Sequence, residues 1–184
     1  MSGRRILPSE ASLWPVFARR REEIARRWLE RLYAAYPPKA AAFIASLADP
    51  FANPVGDRAR RMAGAFVRVL ASPRPGPEER EALAEALEDW MRLRAVQTPS
   101  PEEAVEAFFA MKAVLREFVP SCGEGGPAAG DLREAETRVD RVILEAFGSY
   151  VRCRETLLAI RAEEAGRRTA PVPPAARKAG GGRP

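Results

Sequence analysis

From Gly130 to about Glu164 the chain carries apolar side chains at Leu132, Val139, Ile143, Ala146, Tyr150, Cys153, Leu157 and Ile160. After the first gap the steps alternate four and three, the spacing of a heptad seam. Val142, Phe147, Val151 and Leu158 widen it into a broad apolar face. At 1.5 Å per residue such a helix runs roughly 50 Å. A compact domain of this size has a radius of gyration of only about 15 Å. The helix therefore spans the whole domain or projects from it, and the rest of the fold must be arranged around a rod.

What precedes the rod is also helical in pattern. Phe17, Ile24, Trp28, Leu32 and Tyr36 form one stripe beginning near Pro15, and Pro37-Pro38 ends it. A short Ala-rich helix over Lys39–Leu47 follows. Asn53 and Pro54 read as N-cap and first helical residue of a helix over 54–71 with Met62, Phe66, Val69 and Leu70 inward. Gly64 in that helix suggests a close helix crossing. Pro77-Glu78-Glu79 opens a helix over 77–97 facing inward through Leu83, Leu87, Trp90 and Met91. Ser100, Pro101 and Glu103 make a capping box for the next, which runs to about Val119. Pro120 to Pro127 reads as a mobile loop. No alternating apolar run marks a strand. The expectation is an all-α fold: one helical-bundle domain of about six helices over 13–165, a short arm at 1–12 and a disordered tail at 166–184.

Charge sharpens that division. The chain has 30 basic and 25 acidic residues, a net +5. Arg167, Arg168, Arg177, Lys178 and Arg183 all follow Gly166, where no acid occurs, so the body is electrically balanced and the basicity belongs to the tail. A basic tail adheres weakly to anionic surfaces and is not a specific nucleic-acid reader. The basic start of the chain is broken by Pro8, Ser9 and Glu10 before any signal-peptide core develops. No run reaches the roughly 18 apolar residues of a membrane span, and a cytoplasmic location is expected.

Histidine is absent from the 184 residues. That removes histidine-ligated haem, a histidine general base, the Ser-His-Asp triad and most zinc sites. The two cysteines, Cys122 and Cys153, are too few for a disulfide scaffold and offer no metal cluster. Both are candidate redox-sensitive residues. Cys153, between Arg152 and Arg154, reads first as a small seam residue, and Cys122 lies in the expected loop beside Glu124. Glu78-Glu79 and Glu102-Glu103 are first-turn acids, and Asp89 and Asp140 sit among arginines that suit ion pairs. An Arg–Asp pair at a helix seam would also fix a dimer register. Gly123, Gly125 and Gly126 follow no strand and have no Lys-Ser/Thr behind them, so they form no phosphate loop. Nothing here points to catalysis or to a bound cofactor.

Three stretches, in order, resemble a known family: Asp49-Pro50-Phe51-Ala52-Asn53-Pro54-Val55-Gly56; Arg92 to Gln97 before Ser100-Pro101; and Arg138-Val139-Asp140-Arg141 leading to Ala146-Phe147, Tyr150 and Cys153-Arg154-Glu155. With Trp28 and Tyr36-Pro37, the chain from about Leu13 to Glu164 is similar to the N-terminal domain of the RsbRD-type RsbT co-antagonist proteins. The resemblance implies a non-enzymatic sensory or regulatory module of the stressosome kind, with globin-like, dimeric, haem-free relatives. It also implies a following STAS domain, which this sequence does not contain. The implied function is signalling through the long last helix, with Val139, Ile143, Ala146, Tyr150, Cys153, Leu157 and Ile160 as the seam of a homodimer or of a regulatory partner. Two other readings compete: an adaptor subunit of a larger respiratory or membrane-associated complex, and a helical carrier of a small apolar ligand.

Overall fold

Three helix starts are written locally in the sequence, and the computed structural model, which describes residues 12–46, 50–97, 99–119 and 127–169, shows how each is made. Ahead of α4 (Pro54–Ala71), the Asn53 side chain accepts a hydrogen bond of 2.8 Å from the Gly56 N–H. Its amide also donates to the Ile44 carbonyl at 2.6 Å, so one buried side chain ties α4 to the end of α3 (Pro38–Ser46). Gly56 is what lets them come so close. A Cβ there would lie 2.4 Å from both the Ile44 carbonyl oxygen and the Asn53 amide nitrogen. Ahead of α5 (Pro77–Gln97), the Glu79 carboxylate reaches back to the Gly76 N–H at 2.7 Å. Ahead of α6 (Pro101–Glu117), Ser100 and Glu103 exchange both bonds of a capping box, at 3.2 and 2.8 Å.

The remaining helices are α1 (Trp14–Arg19), α2 (Arg21–Tyr33) and α7 (Pro127–Thr169). Five of the seven helices among the described residues close a ring in the order α2, α4, α5, α7, α6 and back to α2. α1 lies on α4, and α3 spans α2 and α4. Inside the ring, Trp28, Phe66 and Phe108 from α2, α4 and α6 meet with centroids 5.4 to 5.8 Å apart. All three are fully buried. Aromatic groups of this size dominate the energy of a small core. The Trp28 indole N–H donates to the Ala107 carbonyl at 2.8 Å, so its polar edge is satisfied where it enters α6.

No strand occurs among the described residues, and the all-α expectation stands. The element boundaries depart from expectation at several points, each for a local reason. The single first helix is two: Arg20, at φ −103° and ψ 14°, breaks it. Phe17 and Ile24 are seven residues apart and both stay buried, so the apolar stripe gave no sign of the bend. α2 ends at Tyr33 instead of reaching Tyr36: the next residues close a tighter turn, with the Tyr36 N–H on the Tyr33 carbonyl at 2.9 Å, and Tyr36 itself is disfavoured in a helix by the proline after it. Gly64 marks no close crossing; a Cβ there would meet nothing within 4 Å, and the close approach is at Gly56. The last helix starts at Pro127, three residues before Gly130, and continues through Gly166 to Thr169. One glycine costs a helix only about 1 kcal/mol relative to alanine. Arg167 and Arg168 favour the negative end of the dipole, and Arg167 pairs with Glu163 at 3.7 Å. Leu47, Asp49, the loop with Cys122 and the tail beyond Thr169 lie outside the described residues.

Candidate functional site

α7 is 43 residues long, about 65 Å at the helical rise, and it is fastened along only part of that length. At its beginning Asp131 accepts from the Leu13 N–H at 2.8 Å and the Ser12 hydroxyl at 2.6 Å, satisfying the free backbone at the start of α1. Arg138 reaches the end of α4, donating to the carbonyls of Val69, Ser72 and Pro73, while its guanidinium lies 4.8 Å from the Trp14 ring centroid. Asp140 takes Lys112 of α6 at 2.6 Å, and Glu136 takes Arg116 at 2.8 Å. Lower down, the Tyr150 hydroxyl donates to the Pro99 carbonyl and Arg154 to that of Ala95 at 3.4 Å. Past Arg154 only Leu157 retains partial cover from the body.

The residues expected to form an interaction seam are split by this attachment. Val139, Ile143, Ala146 and Tyr150 are buried in the chain's own core. Cys153 and Leu157 are half-buried at its margin, and Ile160 is exposed. What the fold leaves uncovered is a neighbouring stripe. Leu144 is 72% exposed, Phe147 44% and Leu158 54%, with half-buried Val151 between them and Phe109 of α6, 54% exposed, alongside. Leu144, Val151 and Leu158 recur every seven residues. The stripe thus has its own heptad register, turned by about 100° from the buried one. Between α6 and α7 it opens into an apolar groove of about 630 Å³ floored by Phe109, Ile143, Leu144 and Phe147. Glu102, Glu103 and Glu106 rim it. The backbone N–H of Glu102 and the Ser100 hydroxyl hold the Glu102 carboxyl below its usual pKa.

Leu144 and Phe109 were not singled out by the sequence as surface residues. The signal was the seven-residue recurrence from Leu144, which a single best seam conceals. Cys153 is a free thiol beside Arg154, whose guanidinium is turned to the Ala95 carbonyl. Asp89 pairs with Arg92 at 3.5 Å, and Asp140 with Lys112. No cluster of three or more His, Cys, Asp or Glu able to hold a metal occurs among the described residues. No described helix is long and apolar enough to cross a membrane.

No curated protein and no solved structure matches the chain. A family model does, that of the RsbT co-antagonist protein rsbRD N-terminal domain, over residues 22–165. The match runs from the second residue of α2 to within four residues of the end of α7, and so takes in the whole helical ring and its attached rod. On that coverage the chain belongs to the rsbRD N-terminal domain family.

Proposed function

We propose that this protein is a non-catalytic regulatory module of the stressosome sensor type that works as a homodimer, with α7 carrying the signal out of the ring. Family membership supports the regulatory class. The observation that supports the dimer is the uncovered stripe of Leu144, Phe147, Val151 and Leu158, flanked by Phe109. Surface leucines and phenylalanines scattered singly need no explanation, but a contiguous apolar patch marks an interaction face. The heptad recurrence suits a second copy of the same helix. Because α7 is fastened to α1, α4, α5 and α6 through its first half, a change in how the ring packs alters how the rod is presented. Two helix arrangements, biased by a signal, are the switch.

Sedimentation velocity across the micromolar range tests the dimer. Wild type should sediment as a dimer, Leu144→Glu as a folded monomer, and Phe43→Glu, on an exposed face of α3, as wild type. A wild-type chain that stays monomeric at high micromolar concentration overturns the homodimer and gives the stripe to a different protein, the adaptor reading.

A further inference from the structure

The groove between α6 and α7 pairs an apolar floor of Phe109, Leu144 and Phe147 with a rim of Glu102, Glu103 and Glu106, and no arginine or lysine lines it. The groove on the other side of α6 differs, for Arg31 and Arg94 stand in it beside Glu103 and Glu106. What suits the α6–α7 groove is therefore an apolar segment that also carries positive charge. The chain holds such a segment. Residues 170–184 contain Arg177, Lys178 and Arg183 and no acid. Ahead of the first two run Pro171, Val172, Pro173, Pro174, Ala175 and Ala176.

Length decides whether that segment reaches. α6 and α7 run antiparallel, since Lys112 pairs with Asp140 and, further along α6, Arg116 pairs with Glu136. The Tyr150 hydroxyl bonds to Pro99, just ahead of α6, so Glu102 and Glu103 stand near the level of Tyr150. From Tyr150 to Thr169, the last residue of α7, the helix rises about 28 Å. A chain doubling back in extended or polyproline form covers about 3.1–3.4 Å per residue, which carries Arg177 and Lys178 back about 25–30 Å. The two distances match. On the way the segment passes Leu158 and Val151, the exposed and half-buried members of the stripe. Proline suits such a path, because it does not continue a helix and its fixed φ is already that of polyproline.

We infer that residues 170–184 fold back along α7 to the α6–α7 groove, with Arg177 and Lys178 on the carboxylates of Glu102, Glu103 and Glu106 and the Pro-Val-Pro-Pro segment over Leu158. That path covers the stripe proposed for a second copy, so the tail competes with dimerisation. The competition, though not the contact itself, rests on the homodimer reading. A tethered segment meets its site at an effective concentration near millimolar, so a weak contact is enough to shift the dimer.

Carbodiimide coupling, which joins a lysine to a carboxylate in contact with it, tests the contact on the full chain. The chain has three lysines, Lys39, Lys112 and Lys178. At a concentration where the chain is monomeric, peptide mapping should find Lys178 joined to Glu102, Glu103 or Glu106, and less of that product in about 0.5 M salt, which screens exposed pairs. The Lys112–Asp140 pair is the positive control. Lys178 left uncoupled while Lys112 couples, or joined as often to acids elsewhere such as Glu22 or Glu88, overturns the contact. In sedimentation, Arg177→Glu with Lys178→Glu should tighten the dimer about threefold or more. Arg4→Glu with Arg5→Glu, the same change of net charge, should not. Specific coupling with a dimer constant that the tail substitutions leave unchanged overturns the competition. Specific coupling in a chain that never dimerises, with or without those substitutions, upholds the contact and overturns the homodimer.

Discussion

The two halves of α7 share one apolar rhythm and differ in who covers it. In the first half Ala135, Val139, Val142, Ala146 and Tyr150 are buried beneath α5 and α6. In the second half Leu158 and Ile160 stand 54% and 48% exposed. The change falls where neighbours run out. α5 ends at Gln97 and α6 begins at Pro101, and the Tyr150 hydroxyl reaches the Pro99 carbonyl between them. Beyond that level little remains of the ring to pack against. A heptad spacing thus establishes that a helix has an apolar side. It does not establish which molecule covers that side.

The largest expected effect lies in the covered half. Tyr150→Ala removes a fully buried aromatic ring and its bond to Pro99. Large-to-small changes at aromatic core positions cost about 3–5 kcal/mol. Urea unfolding should show that loss as a lower midpoint. A loss below about 1 kcal/mol would mean that this half of α7 is not anchored as described, and the contrast between the halves would collapse.

A middle-sized effect is expected where α7 holds another helix. Arg138→Met keeps much of the aliphatic stem but strips donors from the carbonyls of Val69, Ser72 and Pro73 and the cation from the Trp14 ring. Leaving such acceptors short of partners costs about 1–3 kcal/mol. The loss should appear in the same unfolding measurement. Unchanged stability would show that water replaces the guanidinium at the end of α4, making Arg138 incidental to the attachment.

How much of this was legible follows from where each determinant sits. Caps are local, so Asn53-Pro54 and Ser100-Pro101 with Glu103 announced α4 and α6 at their true first residues. Core stripes are nearly as readable, since Trp28, Phe66 and Phe108 each fall on their helix's apolar spacing. The bend at Arg20 was not readable, because Phe17 and Ile24 fit a straight or a bent helix equally well. The role of Arg138 needs the end of α4, some 65 residues away in sequence, to be brought beside it. The exposed stripe is legible only after the core is known: Leu144 and Ile143 are adjacent in sequence, and only the ring decides which is buried.

The smallest expected change in stability comes from the uncovered half, and it is the most discriminating. Leu158 is 54% exposed and lies outside the buried core, so Leu158→Glu removes little from the folded monomer's packing. Surface substitutions of this kind fall within about 0.5 kcal/mol. Its effect should appear in association instead, because a carboxylate inserted into an apolar helix–helix contact must be desolvated without a partner. Measured at a concentration where wild type is dimeric, Leu158→Glu should sediment as a monomer, while at a concentration where both are monomeric its unfolding midpoint should match that of wild type. A variant that loses stability as a monomer would place Leu158 in the chain's own core, and the two halves of α7 would then no longer differ.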